Sequence, residues 1–217
     1  MSKTTIPRGG ITADAIDATL IADDAISEEH LDATAITGTT ALAAQPASDD
    51  EIIISDAGTL KRLDIKHIQN TPAFSAYKDS ADQSLSGGGD VKVQYETEIF
   101  DSDGCYDKDT NYRFTPGVAG KYFIFASAYV DTNAGAGTLT IAGLKIKKNG
   151  TTASKQRTNL DNNNGRTMTQ QISCILDLDA DDYVEAFAHA ETSTGAGQVR
   201  RENIEGSNFI GFRIAGL

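Results

Sequence analysis

The sequence predicts an all-β chain: an extended acidic segment, a β-hairpin, and then a β-sandwich or jelly roll. Three observations predict it. From Ala73 onward, strand-length runs rich in β-branched and aromatic residues alternate with Gly-, Asn- and Ser-rich turns. No stretch in that region keeps a helical period. Before residue 45, the large apolar residues recur at a step that fits neither a helix nor a strand.

That step is five. Ile6, Ile11, Ile16, Ile21, Ile26, Leu31 and Ile36 are evenly spaced in a segment of Ala, Thr and Asp. A helix turns about 100° per residue, so a five-residue step scatters these side chains by roughly 140° each time. A strand alternates faces, so successive members point to opposite sides. A square β-helix accepts one pentad per side, but it needs about twenty residues per coil and at least three stacked coils. Seven pentads cannot supply that within one chain. The acidic, aromatic-free composition also fits a disordered segment. Disorder leaves the strict register without a cause, however. Small Ala15, Ala25 and Ala35 recur between the pentad residues and would let chains approach closely. The segment is therefore expected to wind with identical chains or to dock on a larger partner.

Charge follows the same division. Gly9 to Leu60 holds eleven acidic residues and no Lys or Arg, whereas Lys61 to Leu217 holds 20 acidic and 17 basic residues. The net charge is −12. Phosphate neutralisation needs clustered cations, so nucleic acid is an unlike partner for this chain. No apolar run approaches membrane-spanning length, so membrane insertion is not expected. The start, MSKTTIPRGG, lacks a secretory apolar core, and synthesis and assembly in a cytoplasm are expected.

The elements then follow in order. Residues 1–45 form the extended attachment or shaft segment. In residues 46–70, "AAQPASDD" reads as a linker with a turn, and Glu51–Ser55 and Leu60–Ile65 as a hairpin closed by "DAGT". Residues 71–217 form the head, and about 145 residues can bury a sizeable core. Its strand candidates are "DVKVQYETEIF", "KYFIFASAYV", "TLTIAGLKIKKNG", "TMTQQISCILDL", "DYVEAFAHA" and "NFIGFRIAG". Asn149-Gly150 is a strong hairpin-turn pair. With Thr151 it also spells a glycosylation sequon, but the turn reading outweighs it. Cys105 and Cys174 are too few for a disulfide scaffold. They read as reduced core thiols, or as a pair formed later outside the cell.

Several of these segments carry a family resemblance. In "YRFTPGVAGKYFIF", Phe114, Gly120 and Tyr122 match an aromatic followed by Gly-x-Tyr; "KIKKNG" matches a Lys-Asn-Gly hairpin; "NFIGFRI" matches a closing Phe-x-Gly-Phe at Phe209, Gly211 and Phe212. In these motifs, residues 71–217 resemble the globular heads of the complement C-one-q and tumour necrosis factor superfamily. Ile124 and Ala126 depart from the family's aromatics, and neighbouring Phe123 and Phe125 face the other way along a strand. The resemblance implies a ten-stranded jelly roll that trimerises around a three-fold axis and binds partners without catalysis. It also implies burial of Phe114, Tyr122, Phe209 and Phe212. The pentads and "DEIIISDAGTLKRLDI" resemble bacteriophage fibre proteins, marine ones especially. The implied protein is a virion component, a homotrimeric tail fibre whose N-terminal segment holds other virion proteins. Its head would meet a host cell-surface receptor such as polysaccharide. A capsid-mounted head fibre or decoration protein, mainly structural, is the alternative.

No catalytic constellation stands out. The histidines, His30, His67 and His189, lie in three regions, and no Gly-x-Ser-x-Gly elbow occurs. "GVAGKY" has the wrong spacing for a phosphate loop. A polysaccharide-cleaving spike would need two carboxylates at a fixed separation, and no such pair is identifiable. No cofactor and no catalytic or metal residue is assigned. Asp101, Asp103, Asp107 and Asp109, and Asp177, Asp179 and Asp181, read as solvated turns and faces, with calcium at a turn or on the trimer axis as the alternative. Receptor contact falls by default to the polar loops, at Asn133, Asn162, Asn163, Asn164, Arg200 and Arg201. Arg200 and Arg201 can instead pair with Glu202 and Glu205 between subunits.

Overall fold

A computed structural model describes residues 33–44, 46–47, 49–68, 72–86, 88–135, 137–160, 165–201 and 206–216. The chain divides into two compact units, Met1–His67 and Ile68–Leu217. Of the pentad row, Ile6, Ile11, Ile16, Ile21, Ile26 and Leu31 lie outside the described residues. Ile36 falls in a one-turn helix, α1 (Thr34–Thr37), within the segment read as extended. Its turn closes with Thr37 N–H and Gly38 N–H donating to the carbonyls of Ala33 and Thr34 at 2.9 Å.

The hairpin forms at the turn read from "DAGT". Strands β1 (Glu51–Asp56) and β2 (Thr59–Asp64) pair antiparallel from Glu51↔Asp64 to Asp56↔Thr59. Ala57 and Gly58 take φ of 50° and 85°, the left-handed pair that a tight two-residue hairpin needs. Ile65, read as strand, begins a short 3-10 turn instead. Ile53 and Leu60 share one face of the hairpin and are each 77 % exposed.

The second unit is all-β and antiparallel. One sheet runs through β12 (Thr167–Leu178), β9 (Gly120–Thr132), β15 (Asn208–Gly216), β3 (Ala73–Tyr77) and β6 (Thr97–Asp101). Short β14 (Gly197–Val199) also pairs with β9 and carries β4 (Gln83–Ser84). The other sheet runs β11 (Thr151–Asn159), β10 (Leu139–Lys148), β13 (Val184–Thr192), β8 (Arg113–Phe114) and β7 (Tyr106–Asp107), with β5 (Val91–Lys92) also on β13. The buried residues of both sheets form one core. The strand segments from β3 to β15 number thirteen among the described residues, where the resemblance implies ten. One cause is "DVKVQYETEIF". It starts on β13 as β5 and finishes on β3 as β6, crossing between sheets while Val93 and Tyr95 stay fully buried.

Alternation along the strands builds the core. Tyr122, Ile124, Ala126 and Ala128 of β9 point inward, and Phe123 and Phe125 point out and are only half-buried. Phe74 is the hub. Its ring lies 4.7 Å from Tyr106, 4.8 Å from Phe114 and 5.0 Å from Phe209. Gly211 faces this hub, and a Cβ there would stand 2.6 Å from Cε1 of Phe74. Phe114, Tyr122 and Phe209 are fully buried as expected, but Phe212 is 38 % exposed. Phe209 and Phe212 are three residues apart on one strand, so they must face opposite sides.

Turn chemistry also acts as read. Asn149 and Gly150 take φ of 49° and 77° between β10 and β11. The Asn149 carboxamide is occupied: its oxygen accepts from Tyr183 N–H at 2.9 Å and its nitrogen donates to Asp182 at 2.5 Å. β11 itself, "TTASKQRTN", is an edge strand with mostly exposed residues, so it carries no apolar alternation.

Candidate functional site

The outward face of the β12-β9-β15-β3-β6 sheet carries the exposed large apolar residues Ile175, Phe212 and Phe100. Strand register sets its rows. Ile175, Phe123, Phe212 and Ala73 stand side by side across four strands. Two residues along, Ser173, Phe125, Ile210, Ser75 and Phe100 form the next row across all five. The Phe123 and Phe212 rings meet with centroids 5.2 Å apart. Ile175 is 64 % exposed, Phe100 and its bulge neighbour Ile99 48 % each, and Ile214 46 %. Rows of exposed apolar side chains on a sheet face are the kind of surface that pairs with a partner. Lys121 and Asp177, paired at 2.7 Å, give it a polar border beyond Ile175 and Phe123.

The polar loops lie beyond the far end of β9. The loops that hold Asn133 and Thr138 and that hold Ser193 and Ala196 are joined by hydrogen bonds. Asn133 N–H donates to Ala196 O at 3.0 Å, and its side-chain oxygen accepts from Ala196 N–H at 2.9 Å. The Thr138 and Ser193 hydroxyls meet at 2.9 Å. Asn133 is thus exposed but engaged in holding the loop pair. Asn162, Asn163 and Asn164 lie outside the described residues; the carbonyl of Gly165 accepts from Leu139 N–H at 2.8 Å.

Arg200 has a structural partner that its own loop does not suggest. Its guanidinium reaches Asp131 at 3.2 Å, and the Asp131 side chain is 4 % exposed. The guanidinium carbon lies 6.0 Å from the centre of the Tyr129 ring. Arg200 therefore neutralises a buried carboxylate on β9. The alternative partners Glu202 and Glu205 lie outside the described residues. Arg201 is exposed, and its N–H donates to Asp82 at 2.9 Å.

The acidic turns hold their own backbone. Asp101 accepts from Cys105 N–H and Tyr106 N–H, both at 2.9 Å. Asp107 accepts from Thr110 N–H at 2.9 Å and from the Asn111 amide at 2.6 Å. No group of three or more His, Cys, Asp or Glu able to hold a metal ion occurs among the described residues. Both cysteines are free; burial raises both thiols, with the Asp101 carboxylate a further cause at Cys105.

These bonds set an acid limit. Burial alone would raise the Asp101 carboxyl, but bonds from Tyr106 N–H and from the Cys105 thiol and N–H hold it below 3.8. Asp182 behaves alike: burial raises it, and Lys148, Asp179 N–H and Asn149 lower it further. A depressed folded pKa means stabilisation that is complete above the unfolded value and lost as pH falls through the folded one. The head is therefore expected to lose stability below pH 3.8, and Asp101→Asn to flatten that acid limb in thermal unfolding. An unchanged limb would contradict the role of Asp101.

No protein-family model and no curated protein matches the chain. Solved structures do. The globular domain of zebrafish complement 1qA protein is 16 % identical, with 68 % of this chain and 100 % of that chain covered at a TM-score of 0.49. Eiger TNF from S. frugiperda is 8 % identical, with 69 % and 96 % covered at 0.48. Murine APRIL is 7 % identical, with 66 % and 98 % covered at 0.48.

Proposed function

We propose that this chain is the subunit of a homotrimeric virion fibre, whose N-terminal segment attaches to other virion proteins and whose head binds the host surface. One observation carries the assembly: the apolar outer face of the β12-β9-β15-β3-β6 sheet, with Ile175, Phe212 and Phe100 unprotected in the single chain. Copies of the head packed around a common axis would cover it. Three-fold symmetry and the virion setting come from the sequence resemblances. The hairpin adds support, because a lone two-stranded ribbon with Ile53 and Leu60 exposed needs a partner to be stable. The mechanism is binding: three equivalent heads turn weak single contacts into avidity.

Attachment is tested apart from trimerisation. Ile16, Ile21 and Ile26 replaced together by Ser are expected to spare head assembly and to remove the protein from purified particles, read by blotting. Each buried aliphatic side chain is worth about 1.5–3 kcal/mol, and the loss repeats in every chain. Normal incorporation would show that attachment lies elsewhere. Absence of the unaltered protein from particles would overturn the virion reading.

A further inference from the structure

We propose that the groove on the outer face of the β11-β10-β13 sheet is a binding site for an acidic sugar unit, one carrying a carboxylate or sulfate. This rests on the reading that the head binds a surface, and it moves the contact from the loops to a sheet face.

The groove exists because one outward position has no side chain. Gly143 of β10 stands between Arg157 of β11 and His189 of β13 in register. Its φ is not positive, so the backbone does not require glycine here. An added Cβ would sit 3.3 Å from Gln156 O and 3.7 Å from His189 Cβ, a tight but open position. The glycine leaves bare backbone as the floor of a cleft of about 470 Å³, walled on one side by the Gly88–Asp90 loop. Glycine inside a strand often marks a bulge, a bend, or close approach of a ligand or another backbone; the register shifts of β10 fall at Leu139/Ile141 and Ile146/Lys147, not at Gly143, and the volume falls in the range of small-molecule sites.

The lining chooses the ligand. Lys145, Lys155 and Arg157 face two carboxylates, Asp90 and Glu191. Asp90 is held by Lys145 at 2.7 Å and by Lys147, outside the cleft, at 3.7 Å. Glu191 accepts from Arg157 at 3.4 Å and from His189 Nε2 at 3.2 Å, and His189 Nδ1 lies 3.3 Å from Gly89 O. Lys155 has no carboxylate within ion-pair distance among the described residues, so one cation remains to take an anion. The two carboxylates and the Gly89 carbonyl supply acceptors for hydroxyl groups. No Phe or Tyr lines the cleft, so a nucleobase has no aromatic platform there. Hydroxyls with one negative charge are the chemistry of an acidic saccharide.

Titration calorimetry on the full chain tests this with three probes: an oligogalacturonate, a sulfated oligosaccharide and a neutral malto-oligosaccharide of equal length. At least one charged probe is expected to bind, more weakly as salt rises from about 20 to about 200 mM, and the neutral one to bind far less. The two charged arms separate carboxylate from sulfate. Gly143→Val fills the floor and should weaken binding at least about tenfold. Lys155→Gln, on the exposed edge strand, should weaken it about two- to fivefold without touching the fold. Binding of neither charged probe, equal binding of the neutral one, or unaltered binding by both variants would overturn the site. Trimerisation and particle incorporation are measured on the same protein. If they stand while the probes fail, the groove is wrong and the fibre reading is untouched.

Discussion

Ile175→Glu combined with Phe212→Glu is expected to turn the proposed trimer into folded monomers. Both side chains point away from the core, 64 % and 38 % exposed, so the sandwich tolerates the change. In the trimer they would be covered by neighbouring copies. Full burial of such a side chain is worth about 1.5–3 kcal/mol. Even half-covered, the pair costs each subunit about one to two decades in association. Two carboxylates per chain gathered near one axis add repulsion. Light scattering reads the mass, and circular dichroism confirms the β fold. A trimer that persists would place the subunit contact on another surface.

Phe209→Ala is expected to lower the melting temperature on the order of 10 °C. Phe209 is fully buried, edge-on to Phe74 at 5.0 Å and stacked with Tyr95 at 5.5 Å. Deleting a buried Phe costs about 3–5 kcal/mol, because the surrounding rings cannot collapse into the space. Phe74 is already fixed by Tyr106 and Phe114, so relaxation is small. For a chain of this size each kcal/mol shifts the midpoint by about 2–4 °C. A negligible shift would mean that β15 does not close the core.

What could be read in advance was what alternation and turn chemistry encode locally. The "KYFIFASAYV" run became β9, and Gly58 and Asn149-Gly150 took the left-handed conformations that their residues suggested, whereas Ala57 adopts φ 50° without such a signal. The strands that escaped notice lacked that code. β11 is polar because its side chains face solvent on an edge, and β14 is only three residues within a polar loop. Phe212 was misplaced for a different reason. The family motif groups it with Phe209, but strand parity separates them. The candidate sites were least legible because they join distant segments. Arg200 and Asp131 are 69 residues apart, and the groove meets Asp90, Gly143, Lys155 and His189 only after three strands and a loop align. In the sequence Gly143 is merely a glycine inside a strand.

Sedimentation equilibrium of the intact protein at micromolar concentration tests the assembly most directly. A homotrimer gives a mass of about 69 kDa, three times the 23.0 kDa chain. A single species at 23.0 kDa would contradict it, leaving the apolar face of Ile175, Phe123 and Phe212 to a different partner.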